Sequence, residues 1–142
     1  MYTFRKEERL CSKILIKKLF DQGAAVSIAP FRTLWMETTF EASVPLQIVI
    51  SVPKRRFKKA VDRNRIKRHI REAYRLNKAD LWDGLSGQKK QCVILFIYTH
   101  NNRYLFKELE PKIILTLQQI KNKIVLSNQS VERPQNGIKD SE

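Results

Sequence analysis

Residues 46–75 read LQIVISVPKRRFKKAVDRNRIKRHIREAYR. Leu46 to Val52 is a continuous, β-branched run. It is too apolar for a strand with a wetted face and is expected to be central in a sheet. Pro53 ends it, because proline cannot donate to a ladder. A basic loop, 54–59, then leads into a helix over 60–77. At roughly 100° per residue, Ile66, Ile70, Ala73 and Tyr74 share one side of that helix. Arg65, Arg68, Glu72 and Arg75 fall on the far side, with Asn64 and Arg71 on a flank. Arg63 and Lys67 stand beside the apolar stripe, where their long stems can snorkel. Asp62 places an acid in the first turn, favourable to the helix dipole.

Eleven of positions 54–75 are Lys or Arg, against Asp62 and Glu72 alone, so this stretch carries +9 of a formal net charge of +14. A positive run so dense repels itself unless a polyanion neutralises it. A helix built only for solubility would not direct cations both outward and beside its buried stripe. Two nucleic-acid surfaces would account for both directions. The residues expected to bind RNA are Lys54, Arg55, Arg56, Lys58, Lys59, Arg63, Asn64, Arg65, Lys67, Arg68 and Arg71.

The run SVPKRRFKKAVDRNRIKRHIREAYR, residues 51–75, resembles the signature of the protein subunit of bacterial ribonuclease P, a family marked by RNRxKRxxRE. Arg63, Asn64, Arg65, Lys67, Arg68, Arg71 and Glu72 match that pattern. Lys58 and Lys59 stand where the family commonly has Gly-Asn, and 51–61 is one residue longer than usual. The resemblance continues more weakly from Arg9 to about Ile124. It implies removal of the 5′ leader from precursor tRNA, with hydrolysis performed by a catalytic RNA that uses Mg²⁺. The implied partners are the catalytic RNA and precursor tRNA, with no obligate protein partner. On this footing Arg65, Arg68 and Arg71 are assigned to the catalytic RNA. Phe20, Phe57, Arg63, Asn64 and Lys67 are assigned to a cleft that holds the single-stranded leader. Phe20 is either core or, as the resemblance implies, a ring lining that cleft. Ile16 stands where the family often carries a second aromatic, one turn earlier.

Outward from this centre, 7–22 suits a short amphipathic helix with Ser12 as N-cap and Gly23 as stop. Residues 24–40 read as extended. Phe31, Thr33 and Trp35 share one face, with Arg32, Leu34 and Met36 on the other. Trp35 is core or an exposed cleft ring, with core favoured by the area it buries. Residues 76–91 read as a helix exit and loop. Cys92 to Thr99 is a second buried strand. Lys107 to Val125 is a helix with Phe106, Leu109, Ile113, Leu117, Ile120 and Ile124 as its stripe.

The expected architecture is a two-layer α/β sandwich of order α-β-β-β-α-β-α. Strand, helix, strand implies a parallel pair with a crossover, right-handed by the general rule. The resemblance implies the rare left-handed form, as in ribosomal-protein-like RNA-binding folds. One domain is expected over 1–126, with a polar, disordered tail over 127–142. No apolar run approaches the ~20 residues of a membrane span, and 1–9 is charged with no apolar run after it. A cytoplasmic protein with Cys11 and Cys92 as reduced, partly buried thiols is therefore expected. The two cysteines show no metal-ligand spacing with His69 and His100, so no protein metal site is expected. Nor is there a Ser-His-Asp candidate. A structural RNA-binding protein of ribosomal type is the alternative. A DNA-reading helix-turn-helix ranks lower, because a strand rather than a short helix precedes the basic helix.

Overall fold

The computed structural model describes residues 4–132. In chain order these form a 3-10 turn at Lys6–Glu8, then helix α1 at Lys13–Gln22 and strands β1 at Ala24–Ile28, β2 at Phe31–Glu37 and β3 at Leu46–Ser51. Helices α2 at Ala60–Asn77 and α3 at Ala79–Gly87 follow, then strand β4 at Cys92–Tyr98 and helix α4 at Phe106–Glu132. The sheet order is β1-β2-β4-β3. β2 pairs antiparallel with both β1 and β4, while β3 and β4 are parallel in a register that sets Ile48 against Ile94.

β4 is the spine because both of its faces are covered. Ile94, Phe96 and Tyr98 join Phe31, Trp35, Leu46 and Ile48 in one core, closed by Ile66, Ile70, Ala73 and Tyr74 of α2 and by Leu109, Ile113, Leu117, Ile120 and Ile124 of α4. Both helical stripes are the ones their 3.6-residue period predicts. Val93 and Leu95 point the other way and meet Leu34, Leu10 and Leu19 of α1. Helices therefore lie on both faces, and α1 adds a partial third layer to the expected two.

Ser12 caps α1 by accepting from the Leu15 N–H at 3.2 Å. The helix starts at Lys13, as that cap requires, and Glu7 and Glu8 before it belong to the 3-10 turn. Gly23 ends it. A Cβ there would stand 2.5 Å from the Leu19 carbonyl oxygen, which accepts the Gly23 N–H. Trp35 is core, as favoured.

Four expectations are corrected. β3 is an edge strand, not a central one. Its apolar run reflects two covered faces, and its outer edge is partly closed where the Leu10 N–H donates to the Ile48 carbonyl at 2.8 Å. Residues 79–87, read as loop, form α3, because Leu81 and Leu85 are buried beneath it. Cys11 is exposed, whereas Cys92 is fully buried; burial first, then Glu37, pushes the Cys92 thiol up to about 12. Finally, α4 runs through Glu132, past the expected helix end at Val125. The rest of the expected tail, 133–142, lies outside the described residues. No helix among the described residues is long and apolar enough to cross a membrane.

Candidate nucleic-acid interface

α2 presents its cations in three directions. Arg68 stands exposed on the crest, while Arg75 at the same height is engaged by Glu72 at 2.6 Å. On one flank Arg65 lines a cavity of about 440 Å³ with His69, Asn102, Arg103, Tyr104 and Leu105. Burial, then the neighbouring Arg68 and Arg65, lowers the His69 pKa below its ordinary value. Arg103, from the loop after β4, also meets Asp62 at 3.5 Å. On the other flank Lys67 and Arg71 line a second cavity, of about 200 Å³, at the edge of β3. Sequence reasoning separated these two residues onto different surfaces, yet the helix brings them together. Asn64 is exposed between this flank and the crest.

Arg63 does not face solvent as a free cation. Its guanidinium donates to the carbonyls of Phe57 and Lys58, at 2.8 and 2.9 Å, so it clamps the basic loop to the helix. Arg56 is likewise engaged, donating to the Asn101 side chain at 3.1 Å. Lys54, Arg55, Lys58 and Lys59 are exposed.

Phe57 is not a cleft ring. It is 8 % exposed and packs on Tyr98 at 5.8 Å. Being the only apolar residue between Lys54 and Lys59, it is drawn under the loop into the main core. Phe20 is the reverse case, 61 % exposed, which removes its core reading.

One end of the sheet carries a partly exposed row. On the α1 side of the sheet, Arg32, Ile97 and Ser51 form a cross-strand row. Arg32 is exposed, and Ile97 and Ser51 are half-buried. Leu15 of α1 faces the opposite end of the sheet, sharing a cavity with Phe40 and Gln47. Ile16 and Phe20 lie roughly 100° and 140° further round the helix. β3 runs towards Ser51, so the basic loop leaves the sheet at this same end. Among the described residues, no cluster of three or more His, Cys, Asp or Glu side chains could hold a metal ion.

Sequence reasoning missed Arg103, Tyr104 and the N-terminal pair Phe4 and Arg9, which line the two cavities. No periodic pattern marks them, since all four lie outside the helices and strands.

The class defined by this fold and surface is a basic α/β RNA-binding protein. The chain belongs to the Ribonuclease P family, whose sequence profile matches residues 4–121. It is 33 % identical over 119 residues to the ribonuclease P protein component of Porphyromonas gingivalis, covering 84 % of this chain and 87 % of that one. The protein component of Chlorobium phaeobacteroides is 30 % identical over 129 residues, with 84 % and 88 % covered. The fold is similar to a mutant RNase P protein of Staphylococcus aureus, at a TM-score of 0.64, 20 % identity, and 82 % and 90 % coverage. It is also similar to the RNase P protein of Thermotoga maritima, at 0.60, 24 %, and 79 % and 96 %.

Proposed function

We infer that this chain is the protein subunit of a ribonuclease P ribonucleoprotein, which removes the 5′ leader from precursor tRNA. The observation that carries this reading is the motif Arg63 to Arg68 on one helix, with the cations of that helix fanned over its crest and both flanks. In the assembled enzyme the RNA performs the hydrolysis and holds the Mg²⁺. The contribution of this chain is binding and positioning. Arg65 and Arg68 would bind the catalytic RNA, screening its repulsion from the substrate. Phe20 and the exposed lysines of the loop would hold the leader along the Arg32–Ser51 row. Arg63 would act through the loop it clamps. The cytoplasm is the compartment this role requires.

The test is reconstitution with the catalytic RNA of the same organism, assayed on precursor tRNA at low Mg²⁺. The protein should restore cleavage at concentrations where RNA alone is inactive. Nuclease-free protein without RNA should leave the precursor intact. Specific 5′ cleavage by the protein alone, lost on a point mutation in it, would overturn the division of labour.

A further inference from the structure

The smaller cavity lies at the edge of β3, against the N-terminal segment. Arg9, Lys67 and Arg71 bring three cations to it, and Phe4, Leu10, Cys11 and the β3 residues 48–50 complete the wall. No carboxylate lines it. Among the described residues, no ion pair engages Arg9, Lys67 or Arg71. Of the acids adjacent in sequence, Glu8 is buried against the Lys78 ammonium and Glu72 is engaged by Arg75; Glu7 is turned to the Ser43 hydroxyl at 3.1 Å.

The cations are also preorganised. The Arg9 and Arg71 guanidiniums lie over one ring, Phe4, at 5.7 and 5.9 Å from its centroid. Phe4 is itself fixed edge-on against Tyr74 at 6.0 Å. Such contacts hold two like charges side by side without neutralising either. Burial, then Arg9 and Arg68, lowers the Arg71 pKa, as expected of a cation crowded by cations. The strand edge contributes too. Ile48 turns its carbonyl outward to Leu10, and the two-residue period turns the Ile50 amide the same way, along the cavity.

We propose that Arg9, Lys67 and Arg71, set around Phe4 at the β3 edge, form a discrete pocket for one RNA phosphodiester. The volume, about 200 Å³, falls below the ~300–1,000 Å³ of sites for drug-sized ligands and suits one phosphate group with its water. Paired guanidiniums match phosphate geometry better than lone lysines do. The pocket deepens the ribonuclease P reading and rests on it. The phosphate belongs either to the precursor leader or to the catalytic RNA, and both are phosphodiesters.

The experiment measures affinity of the full chain for the catalytic RNA, and of the reconstituted holoenzyme for precursor tRNA with and without a leader, over a range of salt. Arg9→Ala should weaken one of these complexes about tenfold and lower its salt slope by roughly 0.7–0.9. Arg9→Lys should recover part of the loss. Arg9→Ala and Arg71→Ala should be non-additive, whereas Arg9→Ala and Arg103→Ala, on the opposite flank, should add. A loss confined to leader-bearing precursor assigns the phosphate to the leader, and a loss in assembly assigns it to the catalytic RNA. Wild-type binding with an unaffected Arg9→Ala variant, or additive effects of Arg9 and Arg71, overturns the pocket and leaves the family function standing. Failure of the wild type to bind either RNA overturns the function itself. The melting temperature of Arg9→Ala should match wild type, since Arg9 is exposed.

Discussion

Two phenylalanines, Phe20 and Phe57, show what a single residue can and cannot disclose in sequence. Both were candidate cleft rings, and both have a lysine within two residues. Burial separates them, at 61 % and 8 % exposed, because Phe57 has Tyr98 to pack on and Phe20 lies past the edge of what α1 covers. Phe20→Ala should therefore leave thermal stability nearly unchanged and cost about 1–3 kcal/mol of leader binding. Phe57→Ala should cost about 3–5 kcal/mol of folding stability. Chemical unfolding beside titration with leader-bearing and leaderless precursor separates the two, and an early-melting Phe20 variant would return it to the core. His69 offers a second residue-scale test. Its folded pKa lies below the ordinary value because of burial, Arg68 and Arg65. As pH falls through about 6.5 the unfolded chain takes up a proton that the folded chain resists, so stability is lost on acidification. The drop in melting temperature between pH 7.5 and 5.5 should shrink in His69→Gln. An equal drop in both proteins would sink the assignment.

At the scale of elements, α2 and α4 were legible because a 3.6-residue stripe needs no knowledge of the partner. Ile66, Ile70, Ala73 and Tyr74 are buried as spaced. α3 was not legible. Its Asp80, Asp83, Gly84 and Gly87 are turn formers, and only the tertiary burial of Leu81 and Leu85 holds it helical. The position of β3 failed for a related reason: hydrophobicity reports covered faces, not neighbours in a sheet. Least legible was the joint between elements. Lys78, between α2 and α3, is 1 % exposed and pairs with Glu8, also buried, 70 residues away. The Lys78 ammonium also lies 4.6 Å from the Trp82 ring centroid. This pair pins the N-terminal segment that carries Phe4 and Arg9. Glu8→Gln or Lys78→Met alone should cost about 3–5 kcal/mol, since each leaves one buried charge uncompensated. Replacing both with Leu and Met should recover most of that loss, as measured by urea unfolding. A double variant as weak as the singles would mean that geometry, not charge, is what the pair supplies.

Over the whole molecule the decisive quantity is the net charge of +14, held apart by a sheet that does nothing to neutralise it. The five ion pairs among the described residues engage few of the cations, and of those in 54–75 only Arg75 is held by a carboxylate. The free chain therefore folds against its own repulsion, most of it concentrated at one helix and one loop. Salt should relieve this. Between about 0.02 and 0.5 M monovalent salt the Debye length falls from over 20 Å to under 5 Å, so the melting temperature of free protein should rise. The complex should behave in the opposite way. Bound RNA stabilises the folded state by mass action, and that binding weakens steeply as counterions compete for the phosphates. Its melting temperature should start higher at low salt and fall as salt is added, until the two curves meet where the RNA dissociates. Scanning calorimetry of both samples across the same salt series reads this directly. Two curves that rise together would mean that the cations of 54–75 remain solvated in the complex, and the interface assigned to α2 would then be wrong.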